Sequence, residues 1–115
     1  MKNESPRVLS LMSLCMKAGR LKTGETMAEK LLRGGEAHLL IIAGDASDNT
    51  KKKFVNKCFY YKKPVQVYGG RDVLSKSVGR QNRTVFIITE ENFAKRLESL
   101  ISMEVAECQK PAYTN

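Results

Sequence analysis

Hydrophobic residues recur along the chain at two spacings, one typical of helices and one typical of strands. Over residues 8–16 the apolar positions lie three or four residues apart, which is the spacing of one helix face. Ser5 and Pro6 precede them as a helix cap and a first helical residue, and Gly19 provides a C-terminal stop. The pattern predicts a first helix between Pro6 and Gly19, followed by a short linker over 20–22.

The next stretch combines a second helix with a buried strand. Apolar residues at helical spacing begin at Met27, just after Thr23-Gly24, and the glycine pair at 34–35 ends this helix. Residues 39–43 are continuously apolar, as expected of a strand that is covered on both faces.

The second half of the chain continues the alternation. Ser47 is a cap for a third helix that extends to about Tyr60, with Phe54, Val55 and Cys58 facing inward. The segments that follow are a strand, a short helix, a buried strand and a last helix, over 64–68, from 71 to the stop at 79, over 84–89, and from 90 onward.

Strands that alternate with helices indicate a parallel or mixed sheet covered by helices on both faces. The predicted fold class is therefore α/β, a three-layer α/β/α sandwich with a small mixed four-stranded sheet. No repeat, long linker or low-complexity tract divides the chain. We predict a single domain over residues 1–107 and a frayed C-terminal tail over 108–115.

Composition places this domain among ordinary globular proteins. A chain of 115 residues can bury a core without staples. It has no apolar run near the ~20 residues that span a bilayer, and its N-terminus has no signal-peptide pattern. The three cysteines are far apart and lack CxxC spacing. We expect a cytoplasmic protein with no disulfide and no metal site.

The charge is the first indication of a partner. The net charge is +8, and it is uneven: residues 1–83 hold 17 Lys and Arg against 7 Asp and Glu, whereas residues 84–115 hold 3 against 5. A basic body of this kind is typical of proteins that bind polyanions. The alternative is charge that serves only solubility.

Catalytic chemistry is poorly supported. His38 has no evident Cys or carboxylate partner nearby in sequence. Asp45 is best interpreted as a loop or cap residue before the helix that starts at Ser47. The chain contains neither a Walker A loop nor a GxGxxG motif after a strand. We therefore predict no catalytic residue and no cofactor. A small nucleotide-binding enzyme that uses Asp45 and the glycine pair at 69–70 stays a minor alternative.

The start of the second helix is the first candidate binding surface. Thr26, Lys30 and Arg33 are spaced so that they share one helix face. Gly24 lets another backbone pass close to the helix start, where free N–H groups suit phosphate oxygens. Lysine and arginine add a salt-sensitive electrostatic attraction.

A second candidate surface follows the strand at 64–68. Gly69 and Gly70 allow close backbone approach, and Arg71 can stack on a nucleotide or form a forked contact with it. Because strand ends gather on one rim of an open sheet, this loop is expected near the first surface. The lysines between 51 and 63 form a third basic group, which is expected to assist binding through electrostatic attraction. Part of this group serves only solubility.

Two blocks of sequence carry a resemblance to a known family. They are GETMAEKLLRGGEAHLLIIAGDAS at 24–47 and KPVQVYGGRDVLSKSVGR at 63–80. Together they resemble the small ribosomal proteins of the L7Ae and L30e type that bind kink-turn RNA, and most strongly their bacterial YlxQ-like branch. The likeness extends from about Val8 to Leu97, which is most of the chain.

The resemblance implies an α/β/α sandwich that holds a helix–internal loop–helix RNA with sheared G·A pairs at a sharp bend. In the family, the start of the second helix contacts those pairs, and a loop after a later strand encloses an extruded nucleotide. Carried over by position, the corresponding residues are Gly24, Thr26, Met27 and Lys30 at the helix start and Gly69, Gly70 and Arg71 in the loop.

The helix start departs from the usual pattern at Thr26-Met27, where archaeal and eukaryotic members generally have Asn-Glu. Threonine offers fewer donors and acceptors than asparagine, and methionine cannot accept a hydrogen bond from guanine as a carboxylate can. Glu25 is adjacent but lies at a different angle of the helix; it joins the candidate contacts. Binding of the RNA backbone is thus better supported than base recognition.

We predict a non-enzymatic, ribosomal-protein-like protein that binds kink-turn or bulged structured RNA such as ribosomal RNA, with the ribosome as a candidate partner. Arg33 helps to hold the RNA backbone. A monomer that contacts neither membrane nor DNA is expected. The main alternative is a protein–protein adaptor of the same fold with only weak electrostatic RNA affinity, which the apolar Met27 makes credible.

Overall fold

The computed structural model describes the backbone of residues 4–113 and the side chains of residues 4–104. Helices and strands alternate along the described chain. In order they are α1 (Pro6–Lys17), β1 (Leu21–Thr23), α2 (Glu25–Arg33), β2 (Leu39–Ile42), α3 (Asp48–Tyr61), β3 (Val65–Val67), α4 (Arg71–Ser77), β4 (Val85–Ile88) and α5 (Glu91–Tyr113).

Local hydrogen bonds fix the starts of two helices where the sequence predicts them. The Ser5 hydroxyl accepts a hydrogen bond from the Arg7 N–H at 3.2 Å, and Pro6 is the first residue of α1. The Ser47 hydroxyl accepts one from the Thr50 N–H at 3.1 Å at the start of α3. Both serines satisfy N–H groups that have no partner within their helices.

The four strands form one mixed sheet in the order β1-β4-β2-β3. β4 is antiparallel to both of its neighbours, whereas β2 and β3 run parallel. All four residues of β2 and of β4 are buried, because these strands occupy the middle of the sheet and helices cover both faces. The predicted three-layer sandwich with a small mixed four-stranded sheet is confirmed.

Alternate residues of the central strands divide the core into two layers. Leu39 and Ile41 face α1, α4 and α5, where the apolar residues include Met12 and Leu97. Leu40 and the other inward residues of the opposite face pack against α2 and α3. The period of two along a strand produces this division directly.

Two parts of the secondary-structure prediction are wrong. Residues 20–22 are not a linker: Leu21 and Thr23 belong to β1 and pair with Ile88 and Phe86 of β4. An edge strand of three residues with one buried apolar side chain is too short to show a period. Val55 is exposed, because it follows the buried Phe54 and points about 100° away from it around the helix.

The C-terminal helix, α5, ends the described chain. The backbone of α5 is helical through Tyr113, and the frayed tail over residues 108–115 stays a prediction. Residues 114 and 115 lie outside the described residues. No helix within residues 4–113 is both long and apolar enough to cross a membrane.

Candidate nucleic-acid interface

The start of α2 and the loop before β4 enclose an open groove. Five of the nine predicted binding residues line it, together with the strand residue before them and three residues of the loop. The lining residues are Thr23, Gly24, Glu25, Thr26, Met27, Lys30, Asn82, Arg83 and Thr84. The groove is therefore formed by two segments almost sixty residues apart in sequence.

Gly24 shapes the groove through its backbone conformation. Its φ of 105° and ψ of 153° lie in a region that residues with a side chain almost never adopt. A Cβ built on Gly24 would meet no atom within 4 Å, so the requirement for glycine is conformational rather than spatial. The Gly24 N–H itself donates to the Val85 carbonyl at 3.0 Å and anchors the helix start to β4.

The first turn of α2 leaves N–H groups available at the groove. The Gly24 carbonyl accepts from the Ala28 N–H at 3.0 Å, which closes the first helical turn. No side chain among residues 4–104 caps the N–H groups of this turn. These donors, with the positive end of the helix dipole, suit an anion such as a phosphate oxygen.

Arg83 is a groove cation that the sequence analysis missed. Its Nε donates to the Thr23 hydroxyl at 3.2 Å, and its Nη1 donates to the Gln81 carbonyl at 3.1 Å. The Arg83 N–H donates to the Ser75 hydroxyl at 2.8 Å, which fixes the loop on α4. The two arginines and the polar residues that follow Gly79 are a sequence signal for a basic loop, although nothing local places that loop beside α2.

Lys30 lies on the exposed side of the groove, and Met27 lies below it. Met27 is half-buried and packs against the core residues between the sheet and the α2–α3 layer. Its thioether therefore contributes more to the support of the helix than to an exposed apolar contact surface. Thr26 is exposed, and its hydroxyl has no hydrogen-bond partner among the described residues.

Glu25 faces α3 rather than the centre of the groove. Its carboxylate accepts a hydrogen bond from the Thr50 hydroxyl at 3.2 Å and lies 3.9 Å from the Lys53 ammonium. Lys53 also contacts Glu29 at 2.6 Å. The hydrogen bond from Lys53 lowers the pKa of Glu29, and the same bond raises the pKa of Lys53. These contacts keep the negative charges of α2 on the side that faces α3.

Arg33 is exposed in the last turn of α2 and does not line the groove. It lies about two and a half turns from Gly24, which is about 13 Å along the helix axis. Its predicted role in holding an RNA backbone stays a prediction.

The Gly69-Gly70 loop is occupied by the chain's own N-terminal segment. The Gly70 N–H donates to a Glu4 carboxylate oxygen at 2.6 Å. Gly69 has a φ of 72°, and a Cβ there would come within 3.0 Å of the Glu4 side chain and 3.2 Å of Leu74. The close approach predicted for these glycines therefore involves Glu4, and neither glycine lines the groove.

Arg71 connects this loop to the groove. Its Nη1 donates to the Asn82 side-chain oxygen at 3.3 Å, and Asn82 lines the groove. Its Nη2 donates to the Asp45 carbonyl at 3.0 Å, and its N–H donates to the Asp45 carboxylate at 3.0 Å. Asp45 is thus a cap residue, but for α4 rather than for the helix after Ser47. The two predicted surfaces are adjacent on one rim.

His38, Cys15 and Cys58, the side chains most often used in catalysis, are half-buried or buried in this fold. His38 is half-buried, and its backbone N–H donates to the Ile88 carbonyl at 2.8 Å. Burial raises the pKa of the Cys15 thiol to about 12 and that of Cys58 to about 11, so both stay protonated. In the part of the chain with described side chains, no cluster of His, Cys, Asp and Glu could hold a metal ion.

Comparison with known proteins identifies the family. The model of the ribosomal protein L7Ae/L30e/S12e/Gadd45 family matches residues 7–98. The chain belongs to this family. The family is non-enzymatic, which agrees with the prediction that the chain is not an enzyme.

Two bacterial relatives are named RNA-binding protein YlxQ. The one from Bacillus subtilis is 38% identical over 91 residues, which cover 79% of this chain and 91% of the relative. The one from Enterococcus faecium is 36% identical over 95 residues, which cover 83% of this chain and 91% of the relative. The predicted resemblance to the YlxQ-like branch is confirmed.

Solved structures of the same fold support the assignment. A protein of unknown function from Bacillus halodurans has a TM-score of 0.83 and 36% identity, over 85% of this chain and 99% of the other. The Giardia lamblia 15.5kD RNA binding protein has a TM-score of 0.71 and 19% identity, over 90% and 94% of the two chains. At that low identity the second likeness concerns the fold alone.

Proposed function

We propose that this protein binds structured RNA with a kink-turn or similar bend through the groove between α2 and the loop before β4. The observation that carries the proposal is the combination of uncapped N–H groups at the start of α2 with Lys30 and Arg83 on either side. The names of the two YlxQ relatives support an RNA partner.

Each groove residue has a distinct part in this proposal. Gly24 brings the α2 N–H groups close to the RNA, and the Thr26 hydroxyl hydrogen-bonds a base edge of a G·A pair. Lys30 and Arg83 neutralise phosphates on the two sides of the bend. Because Met27 offers no polar group, shape and backbone contacts contribute more to affinity than base contacts do.

The neighbouring rim holds the unpaired nucleotide at the bend. The Arg71 guanidinium can stack on a base, and the Asn82 amide can hydrogen-bond to it; the two side chains already contact each other at 3.3 Å. Gly69 and Gly70 shape the loop that supports Arg71. We further propose that the protein acts in the cytoplasm as a monomer, with ribosomal RNA as a candidate target.

A titration with two RNAs tests the proposal. One is a kink-turn RNA, and the other is the same RNA with its G·A pairs changed to Watson–Crick pairs. At two salt concentrations we expect tighter binding to the kink-turn RNA, because only the bent form presents its phosphates to both sides of the groove. Equal binding to both RNAs, lost at the higher salt, would contradict shape recognition.

Lys30→Glu should weaken kink-turn binding by at least about tenfold, because it removes a phosphate contact and adds repulsion. The matched control is Lys17→Glu, which makes the same charge change in the last turn of α1, outside the groove. Isothermal or fluorescence titration of both variants measures the difference. Equal losses in the two variants would mean that only net charge matters.

The position of Met27 argues against the alternative of a protein–protein adaptor. This alternative depends on Met27 as an exposed apolar contact, whereas Met27 is half-buried against the core. The groove around it is lined mainly by polar and charged residues. A surface of this composition is typical of nucleic-acid interfaces rather than of the apolar centre of a protein–protein interface.

A further inference from the structure

The C-terminal end of α3 carries two exposed aromatic side chains. Phe59 is 85% exposed and Tyr60 is 76% exposed, more than the other large hydrophobic residues of the described chain. Lys62 and Lys63 follow after Tyr61, and these four residues share a shallow depression with Asn56 and Cys58. We call this set the α3-end surface.

The α3-end surface lies in a strongly basic part of the chain. From Asn49 to Arg71 there are six lysines and no Asp or Glu. Lys53 is paired with Glu29 of α2, but within residues 4–104 no ion pair involves Lys57, Lys62 or Lys63. Lys62 and Lys63, which line the depression with the rings, therefore carry positive charge that no ion pair within the described side chains neutralises.

The backbone holds a lysine where glycine would be less strained. Lys62 is the C-terminal cap of α3 with φ of 60° and ψ of 46°, the left-handed conformation that usually selects glycine. The Lys62 N–H donates to the Phe59 carbonyl at 3.2 Å, and the Lys63 N–H donates to the Cys58 carbonyl at 2.8 Å. This turn brings Lys62 and Lys63 to the same depression as the exposed rings.

One of the rings is also fixed in orientation. Tyr60 meets Tyr61 edge to face, with ring centroids 4.9 Å apart and planes at 89°. Tyr61 is half-buried and packs against the core. An exposed aromatic face in a fixed orientation loses little conformational entropy when a flat ligand stacks on it.

We propose that the α3-end surface is a second RNA site, which binds single-stranded RNA by stacking bases on Phe59 and Tyr60 while Lys62 and Lys63 contact phosphates. Base stacking on aromatic side chains beside a positive track is the general mode of single-strand binding. The site is separate from the groove: Thr50, which contacts Glu25, is nine residues or about 13 Å along α3 from Phe59.

The composition of the surface favours RNA over an acidic protein. Successive residues on a helix point about 100° apart, so Phe59 and Tyr60 present two separate faces rather than one continuous apolar patch. Lysine is depleted at protein–protein interfaces, whereas it is enriched where proteins contact phosphates. Two separated rings among lysines match successive nucleotides better than they match the apolar side of a peptide.

Substitutions at Phe59 separate stacking from other contacts. The probe is a fluorescently labelled single-stranded RNA of about eight nucleotides, titrated with the full chain and followed by anisotropy. We expect Phe59→Ala and Phe59→Leu each to lose at least about fivefold in affinity, whereas Phe59→Trp keeps it. Leu14→Ala, which removes an exposed apolar side chain on α1, is the control and should have no effect.

Lys62→Gly tests whether the positive charge of Lys62 contributes to RNA affinity, and it is not expected to destabilise the fold. Because glycine suits the left-handed position, the variant should have an unchanged or higher melting temperature while its affinity for the single-stranded probe falls. Lys30→Glu should leave the affinity for this short probe nearly unchanged, and Phe59→Ala should leave the affinity for an unextended kink-turn RNA unchanged. The experiments can therefore disprove either proposed site without disproving the other.

Four results would overturn the second site. Wild-type affinity in Phe59→Ala would exclude stacking, and wild-type affinity in Phe59→Leu would mean that any apolar side chain suffices. Polyglutamate that competes with the probe as well as RNA does would indicate an acidic protein partner instead. Phe59-dependent self-association in sedimentation experiments, with no probe binding, would assign the surface to a second copy of the chain.

Discussion

At the scale of single residues, Gly24 and Lys62 both have a positive φ, but only Gly24 is the residue type that this conformation favours. Gly24 adopts a conformation that only glycine tolerates, and it does so at the edge of the groove. Lys62 adopts one in which glycine would be favoured, yet the chain has a lysine there. A strained residue persists only when the surrounding structure holds it, and such residues are concentrated at functional positions.

Gly24→Ala should destabilise the protein by about 1–3 kcal/mol. The cost comes from the backbone, since a methyl group at Gly24 would meet no atom within 4 Å. RNA binding should fall further than stability predicts, because relief of the strain reorients the first turn of α2. Chemical denaturation and kink-turn titration measure the two effects.

Gly34→Ala is the matched control for this prediction. Gly34 caps the other end of α2 with an ordinary φ of −82°, and its new Cβ would lie 3.3 Å from the Lys30 carbonyl. We expect a smaller loss of stability and no specific loss of RNA affinity. Equal effects of the two substitutions would show that the conformation of Gly24 has no special part in binding.

At the scale of elements, a single buried tyrosine joins three segments. The Tyr68 hydroxyl accepts a hydrogen bond from the Ser5 N–H at 2.8 Å and donates one to the Glu104 carboxylate at 2.8 Å. It therefore links the start of α1, the end of β3 and α5. Burial raises the pKa of Tyr68, so the hydroxyl keeps its proton and remains a donor over the physiological pH range.

Tyr68→Phe should lower the free energy of unfolding by about 1–2 kcal/mol, because it leaves the Ser5 N–H and the Glu104 carboxylate without this partner. Tyr60→Phe is the control, since Tyr60 is exposed and its hydroxyl makes no hydrogen bond within residues 4–104. Thermal and chemical unfolding compare the two. Equal stability of both variants would mean that the hydroxyl of Tyr68 does not join the three elements.

At the scale of the whole molecule, the proposed groove and the α3-end surface lie on one basic body. The excess of Lys and Arg is confined to residues 1–83, and the main intramolecular neutralisation near the groove involves Glu25, Glu29 and Asp45. Binding of RNA should therefore release counterions from its phosphates, which makes affinity fall as salt rises.

A kink-turn RNA with a single-stranded extension should lose affinity more steeply with salt than the same RNA without it. The extension adds phosphate contacts, and each single-strand contact adds about 0.7 to the slope of log affinity against log salt. Titrations at four salt concentrations compare the slopes for the wild type and for Lys62→Gly. Identical slopes for both RNAs with the wild type would contradict the second site.

Sequence patterns are sufficient to predict the parts of this fold that depend on neighbouring residues in the chain. The caps at Ser5 and Ser47 act within three residues, and the apolar run of β2 marks a strand buried on both faces. Helical spacing and the glycines at 19 and 34 place the ends of α1 and α2 to within a residue or two. The start of α2 was also recognisable as a candidate RNA contact, because Gly24 and Lys30 lie on one short segment.

Contacts between distant segments follow only from the folded arrangement of the chain. β1 is recognisable only through its pairing with β4, since three residues with one buried side chain have no period of their own. Arg83 joins the groove through a contact with Thr23, sixty residues away in sequence. Glu4 fills the space beside Gly70 from the other end of the chain. Contacts of this range depend on how the sheet orders its strands, and no local pattern of side chains encodes that order.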